Sequence, residues 1–293
     1  SVKDGDALDK YVARELHFIQ TLSHPNVVQF LGVAHNPAGE LFVVSEWAER
    51  GDLRRFLYGP GSEEAEISWS VRVGFMVDLA RAVWYLHARK VLHRDLKAEN
   101  CLLTASLRVK LCDFGLSRVM EEESEEEKEK RREKEKEPTK PRKLGQVPAA
   151  MRLSMAGTDE WMAPEVALGQ RYSFSADVFS LGVCFAEMAL RRKPRLRLPQ
   201  EYFEFPAGEF REQLPSDAPA GLPELVVSCC RLDPSTRLSV ARVVEELGKI
   251  SPGKIASDPK VVSEGRITPR SATTPSSPRK MHISSIPSAA KKL

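Results

Sequence analysis

His93-Arg94-Asp95-Leu96-Lys97-Ala98-Glu99-Asn100, with Asp113-Phe114-Gly115 after it, decides how this chain of 293 residues folds. The first run follows VRVGFMVDLARAVWYLHARK, part of a pattern from about 68 to 89 that is apolar on most sides and so belongs inside a helical core. The second run follows CLLTASLRVKLC, residues 101–112, whose two apolar ends read as a hairpin. Both are therefore loops on rigid supports. Asp95 and Asn100 stand five residues apart, and Asp113 comes 18 residues after Asp95. Two acids and an amide around one point offer oxygen ligands and an anionic proton acceptor, which suits Mg²⁺-bound phosphates and a hydroxyl substrate. Taken singly, Asp-Phe-Gly reads as a turn and either acid as a helix cap. The chemistry lies in their joint occurrence, in this order.

On the N-terminal side, LDKYVARELHFIQTL (residues 8–22) is an amphipathic helix pattern halted by Ser23-His24-Pro25-Asn26. VVQFLGVA and ELFVVSEW are short β-rich runs joined through Asn36-Pro37-Ala38-Gly39, a hairpin. On the C-terminal side, helical patterns near 175–190, 222–232 and 239–250 finish the body. A small strand-bearing front and a larger helical back make an α+β fold in two lobes.

The net charge of +3 is unevenly spread. Residues 251–293 hold eight Lys or Arg against Asp258 and Glu264, so this part is +6 and the preceding 250 residues are −3. It is also rich in Ser, Thr and Pro, and reads as a disordered basic tail. Residues 121–143 contain 10 Glu and 9 Lys or Arg with no apolar side chain, so they read as a solvated helix or a disordered insert. No apolar run approaches the ~18–20 residues of a membrane span. The tail has no aromatic residues interleaved with its cations, so no specific nucleic-acid platform is expected. Five cysteines with no C-x-x-C pair point to reduced thiols and a place in the cytoplasm or nucleus.

At the two loops the chain resembles the eukaryotic protein kinase family, across residues 1 to about 250. Further motifs of that family follow in order: Gly157-Thr158-Asp159-Glu160-Trp161-Met162-Ala163-Pro164-Glu165, Asp177-Val178-Phe179-Ser180-Leu181-Gly182, and Asp233-Pro234-Ser235-Thr236-Arg237. The resemblance implies the bilobal kinase fold, with ATP and Mg²⁺ as cofactors. Asp95 then orients the acceptor hydroxyl and takes its proton, Lys97 steadies the γ-phosphate, and Asn100 and Asp113 hold Mg²⁺. Arg94 and Glu15 complete the catalytic set, Glu15 as the helix glutamate that pairs with a strand lysine.

The segment ELFVVSEWAERGDL is similar to the family's adenine-lining strand and hinge. This places Ser45 as a small gatekeeper, Glu46 to Ala48 as backbone hydrogen-bonding groups, Asp52 within reach of ribose and Leu102 as the adenine floor. The same matching makes Glu165 and Arg237 a buried ion pair and sets Asp177 to cap the backbone of the catalytic loop. His93 and Phe114 are expected to stack with Ile19 and Phe30 in a spine between the lobes. Cys112 reads equally as a reactive thiol facing the pocket and as an inert buried one.

One departure counts against these matches. No G-x-G-x-x-G precedes Glu15, and Lys3 lies only 12 residues before it, less than the family's usual gap. The expectation is an N-terminally truncated kinase domain over 1–250, with the 121–143 insert in its activation segment, an incomplete N-lobe lacking the Gly-rich loop and lysine strand, and little activity on its own. The alternative is a non-catalytic, pseudokinase-like scaffold that binds partners.

HRDLKAEN and Thr158 resemble the Ser/Thr type, acting on protein substrates. Gly-Thr-x-x-Trp-Met-Ala-Pro-Glu and Glu-Trp-x-x-x-Gly-Asp-Leu are most similar to the tyrosine kinase-like group, with the mixed-lineage and LIM kinases; dual specificity stays open. Ser154, two residues after Arg152, is the candidate phosphosite, whose phosphate would pair with Arg94. In the tail, Ser251, Thr268, Thr274 and Ser277 each precede a proline and resemble sites for proline-directed kinases. Arg270-Ser271-Ala272-Thr273-Thr274-Pro275 resembles a 14-3-3 docking motif if Thr273 is phosphorylated.

Overall fold

A short antiparallel sheet opens the computed structural model, which describes residues 19–37, 41–60, 62, 66–120, 160–250 and 281–285. Strand β1 (Phe30–His35) pairs with β2 (Leu41–Glu46), Val33 opposite Val43, as the hairpin reading expects. Leu31 and Val33 of β1 stay exposed, the uncovered apolar surface that an incomplete first lobe predicts. The other edge of β2 is taken by a strand from the tail, Met281–Ser285, with Ile283 opposite Val44. Composition gives no sign of this strand, which satisfies an edge that would otherwise leave its N–H and C=O groups unpaired.

Behind the sheet lies the helical body. Helix α1 (Leu53–Tyr58) starts where the Asp52 carboxylate accepts the Arg55 N–H at 2.8 Å, a side-chain N-cap. Helix α2 (Trp69–Ala88) is buried along most of its faces, including Phe75, Met76, Leu79, Val83 and Leu86. Its buried Asp78 grips the Arg108 guanidinium at 2.7 and 2.8 Å and accepts the Val109 N–H at 3.0 Å. This ties α2 to the hairpin of β4 (Cys101–Leu103) and β5 (Val109–Leu111). Around them, β3 (Val91–Leu92) pairs with β6 (Arg118–Val119).

The sequence around Pro25 does more than stop a helix. Asn26 is buried, donates its side-chain amide to the Val109 carbonyl at 2.9 Å, and accepts the Leu111 N–H through its own carbonyl at 2.8 Å. His24 stacks on Tyr85 of α2, ring centroids 4.8 Å apart. The segment before β1 is thus fixed to the helical body. Of the helix expected over 8–22, residues 19–22 are described; Ile19 and Gln20 are helical, while Thr21 lies in a turn and Leu22 beyond it, so the helix stops earlier than expected. Ile19 packs on the core, but Phe30 is only part-buried and stays outside it, so the expected spine lacks that member.

After the charged insert come α3 (Pro164–Ala167), α4 (Phe174–Leu190), α5 (Ala207–Gln213), α6 (Leu222–Cys229) and α7 (Val240–Ile250). Helix α4 is the axis of this half, with every residue from Ala176 to Ala189 buried. Gly182 lets α6 approach it, since a Cβ there would come within 2.6 Å of both Cys229 and Cys230. Helix α6 ends at Cys229 rather than at 232, and Asp233 instead caps the short turn Pro234–Thr236 by accepting the Ser235 N–H at 2.9 Å. Among the described residues no helix is long and apolar enough to cross a membrane.

Two buried acids hold this half together. Glu165 receives Arg237 through two bonds of 2.7 and 2.8 Å. The other guanidinium hydrogens go to the carbonyls of Ser175, Arg231 and Leu232, so the pair is fully satisfied. Glu187 of α4 accepts the Tyr58 hydroxyl at 2.5 Å and the Trp161 indole N–H at 2.8 Å. Burial pushes its carboxyl up to about 7, against the lowering effect of those two hydrogen bonds.

Arg237→Met should lower the unfolding free energy by about 3–5 kcal/mol in denaturant melts, because Glu165 is then buried without its partner. Adding Glu165→Gln should recover part of that loss. A different signature is expected at Glu187. Its folded carboxyl titrates near 7 against 4.5 unfolded, so its contribution is fully present below pH 4.5 and is lost as pH rises through 7. Relative to Glu187→Gln, the wild type should lose up to about 3 kcal/mol between pH 5 and pH 8. A stability difference that stays flat across that range would contradict this.

Candidate active site

The loop that carries Asp95 hangs on one buried carboxylate. Asp177, in the first turn of α4, accepts the N–H groups of His93 and Arg94, each at 2.9 Å, and also meets His87 Nε2 at 2.9 Å. Burial alone would raise its pKa, but the hydrogen bond and charge of His87, with His93 close by, hold it below the usual carboxylate value. The grip holds Arg94 in a left-handed conformation, φ 71°, that a non-glycine side chain rarely adopts. Strain of this kind persists only where the surroundings enforce it.

His93 sits at the centre of that enforcement. Its ring is fully buried, which lowers its pKa and keeps it neutral. Nδ1 accepts the Asp95 N–H at 3.3 Å while Nε2 donates to the Cys112 carbonyl at 3.1 Å, so the proton belongs on Nε2. Phe114 meets the ring edge-on, centroids 5.2 Å apart. One imidazole thereby links the two loops, and its packing role is the one found.

Asp95, Lys97 and Asn100 come together as expected. Lys97 Nζ lies 2.7 Å from Asp95 Oδ2, and the Asn100 amide donates to the same oxygen at 2.8 Å and to the Asp95 carbonyl at 2.7 Å. Those bonds occupy the Asn100 nitrogen and turn its side-chain oxygen away from Asp95. The Cys112 N–H donates to the Asn100 backbone carbonyl at 2.8 Å, which brings the chain before Asp113 beside Asn100. Asp113 is exposed, left-handed at φ 60°, and its Oδ1 takes only the Gly115 N–H at 3.3 Å. A carboxylate and an amide oxygen with this much unused acceptor capacity fit a hard divalent cation that also takes phosphate oxygens.

The hinge residues lie where the strand pattern puts them. Ser45 is part-buried at the end of β2, and among the described residues the buried Ala48 has no acceptor for its N–H. Backbone bonds between Arg50 and Leu103 and between Gly51 and Leu103, at 3.0 and 2.8 Å, clamp the segment to β4 and set Asp52 opposite Leu102. The Asp52 carboxylate that the sequence aimed at ribose is engaged in capping α1. At Cys112 burial, then the neighbouring Asp113, pushes the thiol up to about 12, which favours the inert reading of this part-buried residue. Arg94 lies over the Tyr172 ring at 5.2 Å, at the edge of a cleft of about 560 Å³ lined by Asp95, Leu96, Leu116 and Met162. Glu15 and Ser154 lie outside the described residues.

Sequence reasoning missed two partners. His87 grips Asp177, and the only signal for it is its place at the end of α2, six residues before His93. Glu46 was read for its backbone, yet its side chain holds Lys110 at 2.7 Å and accepts the Gln29 N–H at 2.7 Å.

Comparison with known proteins agrees with this geometry. Residues 1–247 match the protein kinase domain model. A probable serine/threonine-protein kinase of Dictyostelium discoideum is 34% identical over 249 residues, 85% of this chain and 37% of the relative. The RasGEF domain-containing serine/threonine-protein kinase X of the same organism is 36% identical over 242 residues, 81% of this chain and 22% of that protein. The chain spans little more than a third of the first relative's length and about a fifth of the second's. With Lys97 and Asn100 gathered on Asp95, and a family model matched over residues 1–247, the chain belongs to the protein kinase family.

Proposed function

We propose that this chain is the catalytic part of a protein serine/threonine kinase, moving the γ-phosphoryl group of ATP to Ser or Thr hydroxyls of protein substrates. The observation that carries the reading is the convergence of Lys97 and Asn100 on one oxygen of Asp95, with the backbone just before Asp113 bonded to the Asn100 carbonyl. A partner-binding scaffold has no need of that arrangement. The Ser/Thr character of the named relatives and the Lys97 position support the substrate class. Trp161 and Glu46-Trp47 through Gly51-Asp52-Leu53 support a place in the tyrosine kinase-like group.

In this reading Asp95 aligns the acceptor hydroxyl and takes its proton as that oxygen bonds to the γ-phosphorus and ADP departs. Lys97 lies against Asp95 and places a positive charge where the transferred group passes. Asn100 and Asp113 are the residues to hold Mg²⁺, which when bound neutralises phosphate charge. The cleft beside Arg94, Leu116 and Met162 receives the substrate chain around its acceptor residue. Glu15 awaits a lysine that residues 1–293 do not contain at the family's spacing.

Purified residues 1–293 should therefore show little phosphotransfer, and a longer chain with a V-A-x-K strand upstream should turn over ATP. In that longer chain Asp95→Asn should reduce kcat by about 10²–10⁴ with ATP binding retained. Equal turnover by the variant would overturn the role given to Asp95. Ser154→Ala should lower the basal rate several-fold and remove activation on preincubation with ATP, since the phosphate is assigned to Arg94. Unchanged activity would remove Ser154 from the account.

A further inference from the structure

Strand β2 has two unlike neighbours. On one side β1 pairs with it across a shift between Phe30 and Gly32. On the other, residues 281–285 run antiparallel in unbroken register, from Phe42 opposite Ser285 to Glu46 opposite Met281. Among the described residues the sheet ends there, in the order β1, β2, tail strand. The neighbour most distant in the sequence thus has the more regular pairing. Its letters suit it, since Met281 and Ile283 alternate with His282 and Ser284, the period of a strand.

Without the tail, the described sheet would be the β1–β2 hairpin alone. A two-stranded hairpin is marginal in water, and a third strand or a packed face is needed for independent stability. This hairpin packs little: Leu31 and Val33 are exposed, and Phe42, Val43 and Val44 are only part-buried. It is tied to the helical body at its Glu46 end. There the Glu46 N–H donates to the Gln29 carbonyl at 3.0 Å, while its carboxylate accepts the Gln29 N–H and holds Lys110, both at 2.7 Å. Those bonds pin one end of β2. Along its length the neighbours are β1 and the tail.

The place of this third strand matters to the nucleotide. Glu46 is both the last residue of β2 and the first of the hinge segment Glu46 to Ala48, and Met281 is its register partner. Beyond the hinge, Arg50 and Gly51 are clamped to Leu103. The hinge therefore runs between β4, which the helical body fixes, and β2, whose direction depends on the strands beside it. The tail reaches β2 from its own chain. Residues 251–280 separate Ile250, at the end of α7, from Met281 and span up to roughly 100 Å when extended. Such a tether gives the strand an effective concentration of about a millimolar, which favours the tail of the same chain over that of a second copy.

We infer that the edge of β2 is a strand-addition site, filled in cis by Met281–Ser285, and that the added strand holds the hinge in place for the nucleotide. This rests on the kinase reading above and gives the tail a part in it. Backbone pairing makes the joint, so its strength depends on the N–H groups and extended shape of the tail rather than on one side chain.

The test uses the full chain carrying His282→Pro and Ile283→Pro together. Successive residues of a strand turn their N–H groups to opposite sides, so one of the two prolines removes a bond to β2 whatever the phase. Amide hydrogen exchange in residues 42–46 should be at least tenfold faster in the double variant, with exchange in α2 and α4 unchanged. A peptide of residues 279–287, added at about 1 mM to match the tethered concentration, should restore slow exchange, and a scrambled peptide should not. Unchanged exchange in the double variant, or no rescue by the peptide, would overturn the site. Slow exchange that is lost when the wild type is diluted would assign the strand to a second copy and overturn the cis claim. Titration with Mg²⁺ and ADP should give a Kd at least fivefold higher for the double variant than for the wild type, recovered with the peptide. An equal Kd would overturn the link to the hinge. Absence of ADP binding by both proteins would instead sink the kinase reading, and exchange would still report on the edge itself.

Discussion

A single buried carboxylate, Asp177, sets the position of the loop that carries Asp95. Only 1% of it is exposed, yet it receives two backbone N–H groups of the catalytic loop and the ring of His87. A carboxylate in that setting is stable only when its oxygens are filled, and the loop's N–H groups are in turn satisfied only by it. The left-handed turn at Arg94 follows from this mutual requirement. From there the chain presents Asp95 to Lys97 and Asn100. The rigidity comes from α4, whose long buried stretch leaves Asp177 no freedom to move.

The same helix serves the rest of the site. Ser180 of α4 donates to the Trp161 carbonyl at 2.8 Å, and Glu187 takes the Trp161 indole. At its C-terminal end Arg191 donates to the carbonyls of Leu57 and Ser62, reaching the segment beyond α1. The loops on both sides of the site are thus referred to one buried axis. His93 performs the corresponding task between the loops, since one neutral ring satisfies groups on both.

Much of this was legible in the letters. Long apolar runs place α2 and α4, helical patterns place α6 and α7, and the two hairpins follow from β-rich runs around Pro37 and Ser106. The Glu165–Arg237 pair and the capping role of Asp177 were both expected from motif matching, and the distances agree. What was not legible depends on side-chain direction. Asp52 was expected within reach of ribose; its cap on α1 was not expected, because it depends on where that helix starts. Glu46 alternates onto the face that meets Lys110, a pairing set by the approach of β2 to β5. Phe30 was expected in the spine, but it is only part-buried at the start of β1. The tail strand at Met281–Ser285 escaped because composition reports what a segment can bury alone, not which open edge it can complete.

The central claim is that Asn100 and Asp113 hold the metal of a nucleotide whose phosphates face Asp95. Paramagnetic Mn²⁺ added with ADP to the isotope-labelled chain tests it directly, since line broadening falls steeply with distance from the ion. Broadening should centre on Asn100 and Asp113, spread to Asp95 and Lys97, and vanish in Asp113→Asn. Broadening centred elsewhere, or unchanged in Asp113→Asn, would contradict the account.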